Sequence, residues 1–187
     1  MESDSGASDR YAFFDGDPDG YDRSDWLTGL PLNRVADTPM AIRSKKVAPI
    51  SDAVLSSLDL PIFSPKLRDL LTAVGATNIQ YVPVRLIGAA RGTIADDYCA
   101  ANVLGLVDCI IEKKAFIERS ASSGRIMSLE EFALDPQRIV PLAGMDAPPA
   151  IFRLRDYRIL IIADEKVKTA CQEQKISGIK FIRTTDY

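Results

Sequence analysis

The residues best suited to chemistry lie near the start of the chain, in Phe13-Phe14-Asp15-Gly16-Asp17-Pro18-Asp19-Gly20. An aromatic strand that ends in two carboxylates two positions apart, Asp15 and Asp17, offers a pair that carboxylate-based hydrolysis could use. The same run has the D-x-D-x-D-G order of a calcium loop, which needs a bidentate glutamate at its twelfth position. Here that position is Trp26 and the ninth is Arg23, so a calcium loop is excluded. Alternating Asp, Gly and Pro is also ordinary turn chemistry. The 187 residues include no histidine, which removes the most used general base, the partner of serine and cysteine nucleophiles, and the commonest metal ligand. The three cysteines, Cys99, Cys109 and Cys171, are widely spaced among apolar residues and are expected as buried free thiols. The glycines form neither a phosphate loop nor a dinucleotide fingerprint. No cofactor, metal ion or catalytic residue is therefore expected.

Stepping outward to the elements, one helix-then-strand phrase occurs twice, one hundred residues apart. The first copy starts at Ser64-Pro65-Lys66-Leu67, continues through Leu70, Leu71 and Val74, and ends in Ile79, Tyr81 and Val82. The second starts at Asp164-Glu165-Lys166-Val167, continues through Ala170 and Cys171, and ends in Ile179, Phe181 and Ile182. Ser64 and Asp164 have the side-chain oxygens that cap a first helical turn, and Pro65 and Glu165 suit the positions that follow. Leu67, Leu70, Leu71 and Val74 recur at the spacing of one buried helical stripe. The second stripe is weaker, so that helix should pack more shallowly. Gly75 and Asn78 stop the first helix and Gly178 the second.

Strands are predicted over Tyr11 to Phe14, Met40 to Lys46 and Asn78 to Ile87, with Pro83 requiring an edge or a bulge. Tyr98 to Ile111 reads as a buried strand, a bend at Gly105 and a second short strand. Phe116 to Arg119 continues the sheet. Arg125 to Leu134 reads as a strand ending in a turn, and Ile151 to Ala163 as a hairpin. Ser51 to Leu58 suits a short helix, and Trp26 to Leu32 an apolar segment pinned without regular structure. The class is α+β: a mixed, mostly antiparallel sheet with a few helices, including the two similar units 64–84 and 164–184.

Charge is uneven. Eight of the 26 acids but only Arg10 and Arg23 among the 23 bases fall in residues 1–25, leaving 18 acids and 21 bases elsewhere. Residues 1–25 are expected to form a loosely ordered acidic arm on a single α+β domain spanning 26–187. Phosphate repulsion argues against direct nucleic-acid binding by the arm, whereas a basic protein would be steered towards it. Arg43-Ser44-Lys45-Lys46 is too short for a nucleic-acid patch. No apolar run is long enough for a membrane span, and the acidic start is the reverse of a secretory signal. A cytoplasmic protein is expected.

Two resemblances follow. Phe13 to Asp17 resembles the nucleophile motif of haloacid-dehalogenase-type phosphatases, but Asp19 stands where that family has threonine or valine, and the parallel strands of its fold are too few. Phe63-Ser64-Pro65-Lys66-Leu67, Asn78 to Val84, Tyr98, Asn102 to Asp108, Ile151 to Leu154 and Gly178 to Ile182 together resemble the bacterial polymorphic-toxin immunity protein family eleven, over about residues 60–184. That resemblance implies a non-catalytic inhibitor in interbacterial competition, which occludes a cognate toxin, nuclease-type, in one-to-one complexes. Asp15, Asp17, Asp19, Tyr21, Asp22, Asp25 and Trp26 are the expected contact residues, because carboxylates in a row match a cleft built for phosphates; the alternative for this segment is a solvated leader that improves solubility. The alternatives are a metal-dependent phosphoryl hydrolase on Asp15 and Asp17, and a non-catalytic scaffold subunit.

Overall fold

The helix-start signals act as their chemistry requires. In the computed structural model, which describes residues 2–3, 11–15, 22–33, 39–44, 47–56, 60–90 and 92–187, the Ser64 hydroxyl accepts from Leu67 N at 3.2 Å. The Asp164 carboxylate accepts from Val167 N at 2.9 Å. They open α1 (Pro65–Ala73) and α2 (Glu165–Glu173). Both helices close with the same pair of backbone bonds. Gly75 N donates to Thr72 O and Ala76 N to Leu71 O; Lys175 N donates to Gln172 O and Ile176 N to Cys171 O. These are Schellman ends, which need a left-handed residue in the penultimate place. Gly75 supplies it at φ +86°. In the second copy the residue is Lys175 at φ 52°, not Gly178, at a cost of about 1 kcal/mol relative to glycine. As expected, α2 is the shallower helix, burying Val167 and Cys171 where α1 buries Leu67, Leu70 and Leu71.

The strands, in chain order, are β1 (Glu2–Ser3), β2 (Phe13–Asp15), β3 (Met40–Ser44), β4 (Ala53–Ser56), β5 (Ile62–Phe63), β6 (Ile79–Ile87), β7 (Thr93–Val103), β8 (Leu106–Val107), β9 (Phe116–Arg119), β10 (Ile126–Glu130), β11 (Ile151–Leu154), β12 (Ile161–Ala163) and β13 (Ile179–Lys180). Six of them close a barrel in the order β2-β3-β6-β7-β5-β4. The β3–β6 and β2–β4 pairs are parallel and the rest antiparallel, so the fold is α+β with mixed sheets. Along β6 the buried residues are Val82, Val84 and Leu86 while Pro83 and Arg85 face out, the alternation predicted. Pro83 sits where pairing with β3 has not yet begun, since the first matched pair is Met40 with Val84. Its missing amide proton therefore costs no bond on that side.

Three apolar clusters lie among the described residues. Phe14, Trp26, Ile42, Ile62, Val82, Val84 and Leu86 pack with their neighbours in the barrel cluster. A second cluster joins the two helices to the barrel through Phe63, Ala101 and Val103 and to Ile151 and Ile161. The third lies under the sheet β12-β11-β8 and the β9–β10 pair, around Val107, Leu129, Phe132, Phe152 and Leu154. Each fully buried side chain of this size contributes about 1.5 to 3 kcal/mol of transfer free energy.

Several expectations change. Ser51 to Leu58, read as a helix, contains β4, because a closing strand gains ladder bonds on both sides and these override a weak local pattern; residues 57–59 lie outside those described. Met40 to Lys46 is a strand through Ser44, with Lys45 and Lys46 outside the described residues. Phe116 to Arg119 is a strand, but among the described residues it pairs only with β10, in a separate two-stranded sheet. The strand of the second repeat is short and pairs with β1, since the barrel is already closed without it. The duplication is thus complete in the helices and incomplete in the strands.

Asp52 ties the two copies together. Its Oδ1 accepts from Ser64 Oγ at 3.0 Å, and its Oδ2 accepts from Ser177 N at 2.9 Å and Ser177 Oγ at 2.8 Å. From α1, Lys66 Nζ donates to the Gln174 carbonyl at the end of α2 at 2.7 Å, a cation at the negative end of a helix dipole. Burial opposes the charged form of Asp52, but the donors from Ser177 and Ser64, with Lys66 nearby, together hold its pKa below 3.8. A group whose pKa falls on folding stabilises the fold above its unfolded pKa, and that contribution disappears as pH drops through the folded value. Asp52→Asn is accordingly expected to lower urea resistance at pH 7 and to differ less from the parent protein below about pH 4. An equal gap at pH 7 and pH 3 would show that the charge is not what matters.

Candidate partner-binding surface

The aromatic run Phe13-Phe14 forms β2, with Phe14 buried and Phe13 turned outward. This alternation places Asp15, half-buried, at the end of the strand, opposite Arg43 of β3. Asp17, Asp19 and Tyr21 lie outside the described residues. The chain is described again at Asp22, whose Oδ1 accepts from Ser24 N and Ser24 Oγ, both at 2.8 Å, and caps the 3-10 helix Arg23–Leu27. The Ser24 backbone bond, with the hydroxyl bond beside it, holds the Asp22 pKa below the ordinary carboxylate value. Asp22, Ser24 and Asp25 are exposed.

Trp26, expected on the contact surface, is 0% exposed and belongs to the barrel cluster. An indole with this much apolar area is worth more inside the barrel than in water. It anchors the short helix from within the cluster, and Asp22, Ser24 and Asp25 face solvent. The segment that follows is also fastened. Gly105 N donates to Gly29 O at 2.8 Å, and Asn102 Nδ2 donates to Leu30 O at 2.9 Å. Leu32 N donates to Gln80 Oε1 at 2.8 Å, and Gln80 Nε2 returns a bond to Leu32 O at 3.3 Å. Residues 13–15 and 22–32 thus run as barrel strand, short helix and strap; residues 1, 4–10 and 16–21 of the expected acidic arm lie outside the described residues. The amide side chains of β6 and β7 that hold this strap carry no periodic signal, so sequence reading passes over them.

Elsewhere the reactive groups are shielded. Cys99, Cys109 and Cys171 are free and buried. Burial pushes the Cys109 and Cys171 thiols up to about 11 and also raises Cys99, against the pull of Arg68, whose Nη1 donates to its sulfur at 3.0 Å. Such thiols are poor nucleophiles at neutral pH. In a cleft lined by Asp108, Ile110, Glu112, Ile117, Ile126, Arg138 and Asp156, Arg138 pairs with Asp108, and Arg119 pairs with Glu112 at 2.6 Å. Among the described residues no group of three or more His, Cys, Asp or Glu side chains is placed to hold a metal ion. No helix among them is long and apolar enough to cross a membrane.

The described surface offers fixed carboxylates and exposed apolar side chains, including Phe116 and Met127 on the β9–β10 pair. It is suited to meeting another protein. No curated protein matches the chain. The Immunity protein family (Imm11) matches residues 9–186, a span that takes in β2 and the short helix Arg23–Leu27 as well as the duplicated helices. From barrel strand to C-terminus, the chain belongs to the Imm11 immunity protein family.

Proposed function

We propose that this immunity protein binds a cognate toxin of the nuclease type in the cytoplasm and neutralises it by stoichiometric occlusion, without catalysis. Membership of the immunity family over nearly the whole chain carries the reading. The acidic turn adds the physical part. Asp22 and Asp25 are exposed on a short helix that Trp26 anchors from within the barrel cluster, and Asp15 ends the preceding strand. Asp22 and Asp25 make an acidic face suited to a cleft evolved for phosphates, and Asp15, Asp17, Asp19 and Tyr21, which precede it in the sequence, belong to the same proposed contact. Like-charged nucleic acid is repelled by that face and a cationic enzyme is attracted.

The test is kinetic. Purified toxin domain from the adjoining reading frame is titrated with the protein, and its activity should vanish at one equivalent. Asp22→Asn with Asp25→Asn, which preserves the cap, should slow association about tenfold at low salt and show little difference at high salt. An association rate unchanged at both salt concentrations would remove the acidic turn from the interface. Magnesium-dependent phosphatase activity that is lost in Asp15→Asn would replace the inhibitor reading with the hydrolase.

A further inference from the structure

We propose that the outer face of the β9–β10 hairpin is a second, dissociation-controlling contact for the same toxin, and that it reads an apolar pocket bordered by cationic side chains. The inference rests on the inhibitor reading and adds to it a surface in another part of the fold.

The register decides what that face contains. Glu130 lies directly across from Phe116 and Ser128 directly across from Glu118, so these four side chains share one face. The opposite face carries Leu129, buried, and Ile117, half-buried, and packs on the third apolar cluster. The core requirement is thus met by one face, yet the other presents Phe116 at 68% exposure between two exposed carboxylates. The pairing shifts between Ile126 and Ser128. Met127 sits at that shift, 64% exposed, as bulges often re-aim a side chain. An aromatic ring and a thioether held in water, with carboxylates beside them, complement an apolar hollow rimmed by Lys or Arg.

The hairpin is also held in advance of binding. At its tip, Arg119 Nη1 donates to Gly124 O at 3.0 Å and Ser120 N donates to Arg125 O at 2.9 Å. At its base, Glu131 N donates to Tyr187 O at 3.1 Å and Phe132 N to Thr184 O at 2.8 Å. The rings of Phe132 and Tyr187 meet edge to face at 6.0 Å. Glu131 takes a left-handed φ of 43°, a conformation that non-glycine residues keep only where their surroundings enforce it. A fixed hairpin loses little freedom on binding.

The test measures the purified toxin domain of the adjoining reading frame against wild type, Phe116→Ala, Glu118→Gln with Glu130→Gln, and Glu173→Gln on α2 as a control. Phe116→Ala should weaken binding about thirtyfold or more, chiefly through faster dissociation. The double glutamine variant should lose about tenfold. The control should bind as wild type, and all four proteins should unfold at the same temperature. Unchanged dissociation in Phe116→Ala, with wild type still binding, overturns this inference and leaves the inhibitor reading standing. Failure of wild type to bind overturns both. Sedimentation that shows a wild-type dimer made monomeric by Phe116→Ala would assign the face to a second copy of the chain and reject the toxin contact.

Discussion

Gly178→Ala is expected to cost more than about 3 kcal/mol, enough to leave a large unfolded fraction at room temperature. Two separate effects combine. Gly178 has a φ of +81°, where any L side chain costs about 1 to 2 kcal/mol. An added Cβ would also fall on the carbonyl oxygen of Ala53 and lie 2.7 Å from both Cβ and Oγ of Ser51. The carbonyl belongs to β4, a strand that closes the barrel, and Ala53 N is bonded to Ser177 O at 3.0 Å. The obstacle is backbone held on both sides, so relief requires moving β4 against β2 and β5. Gly75 provides the control. Its φ is +86°, yet a Cβ there would meet nothing within 4 Å, so Gly75→Ala should cost about 1 kcal/mol from conformation alone. Urea unfolding of the two variants separates the effects, and equal losses would refute the steric account.

The contrast between these glycines also shows where sequence reasoning reaches. Ser64 and Asp164 were legible because a cap is made within four residues, and the stripe Leu67, Leu70, Leu71 repeats within two turns. The alternation of Val82, Val84 and Leu86 was legible for the same reason. Barrel closure was not, because the parallel pairs β2–β4 and β3–β6 bring together residues about forty apart, and no local period records a partner at that distance. Ser51 to Leu58 was misread for this reason: its pairing with Phe13 and Phe14 on one side and Ile62 and Phe63 on the other determines its state. Lys175 in a glycine's place hid the end of α2. For the candidate surface, the acidic cluster was visible in composition, while the exposure of Phe116 was not, since an aromatic in an alternating strand reads equally well as core.

Trp26 divides the two kinds of residue, and its substitution carries the second large effect. As a single tryptophan with no exposed surface, it should emit as a buried indole in the native protein and shift to the red on unfolding. Trp26→Ala removes one of the largest fully buried side chains in the structure and is expected to cost about 3 to 5 kcal/mol, from lost transfer free energy and the cavity left behind. The strap behind it, held by Gln80, Asn102 and Gly105, limits how far the segment can collapse into that cavity. A cost at the upper end is therefore expected. The toxin-binding consequence should follow stability and not contact. Trp26→Phe keeps an aromatic in the cluster, so it should retain the fold with a smaller loss and bind the toxin domain within about twofold of wild type. If Trp26→Phe instead melted like wild type and bound much more weakly, the indole would have to leave the barrel cluster to touch the partner. The acidic turn would then be a mobile element that opens on binding, and its carboxylates would owe their placement to the complex and not to the free protein.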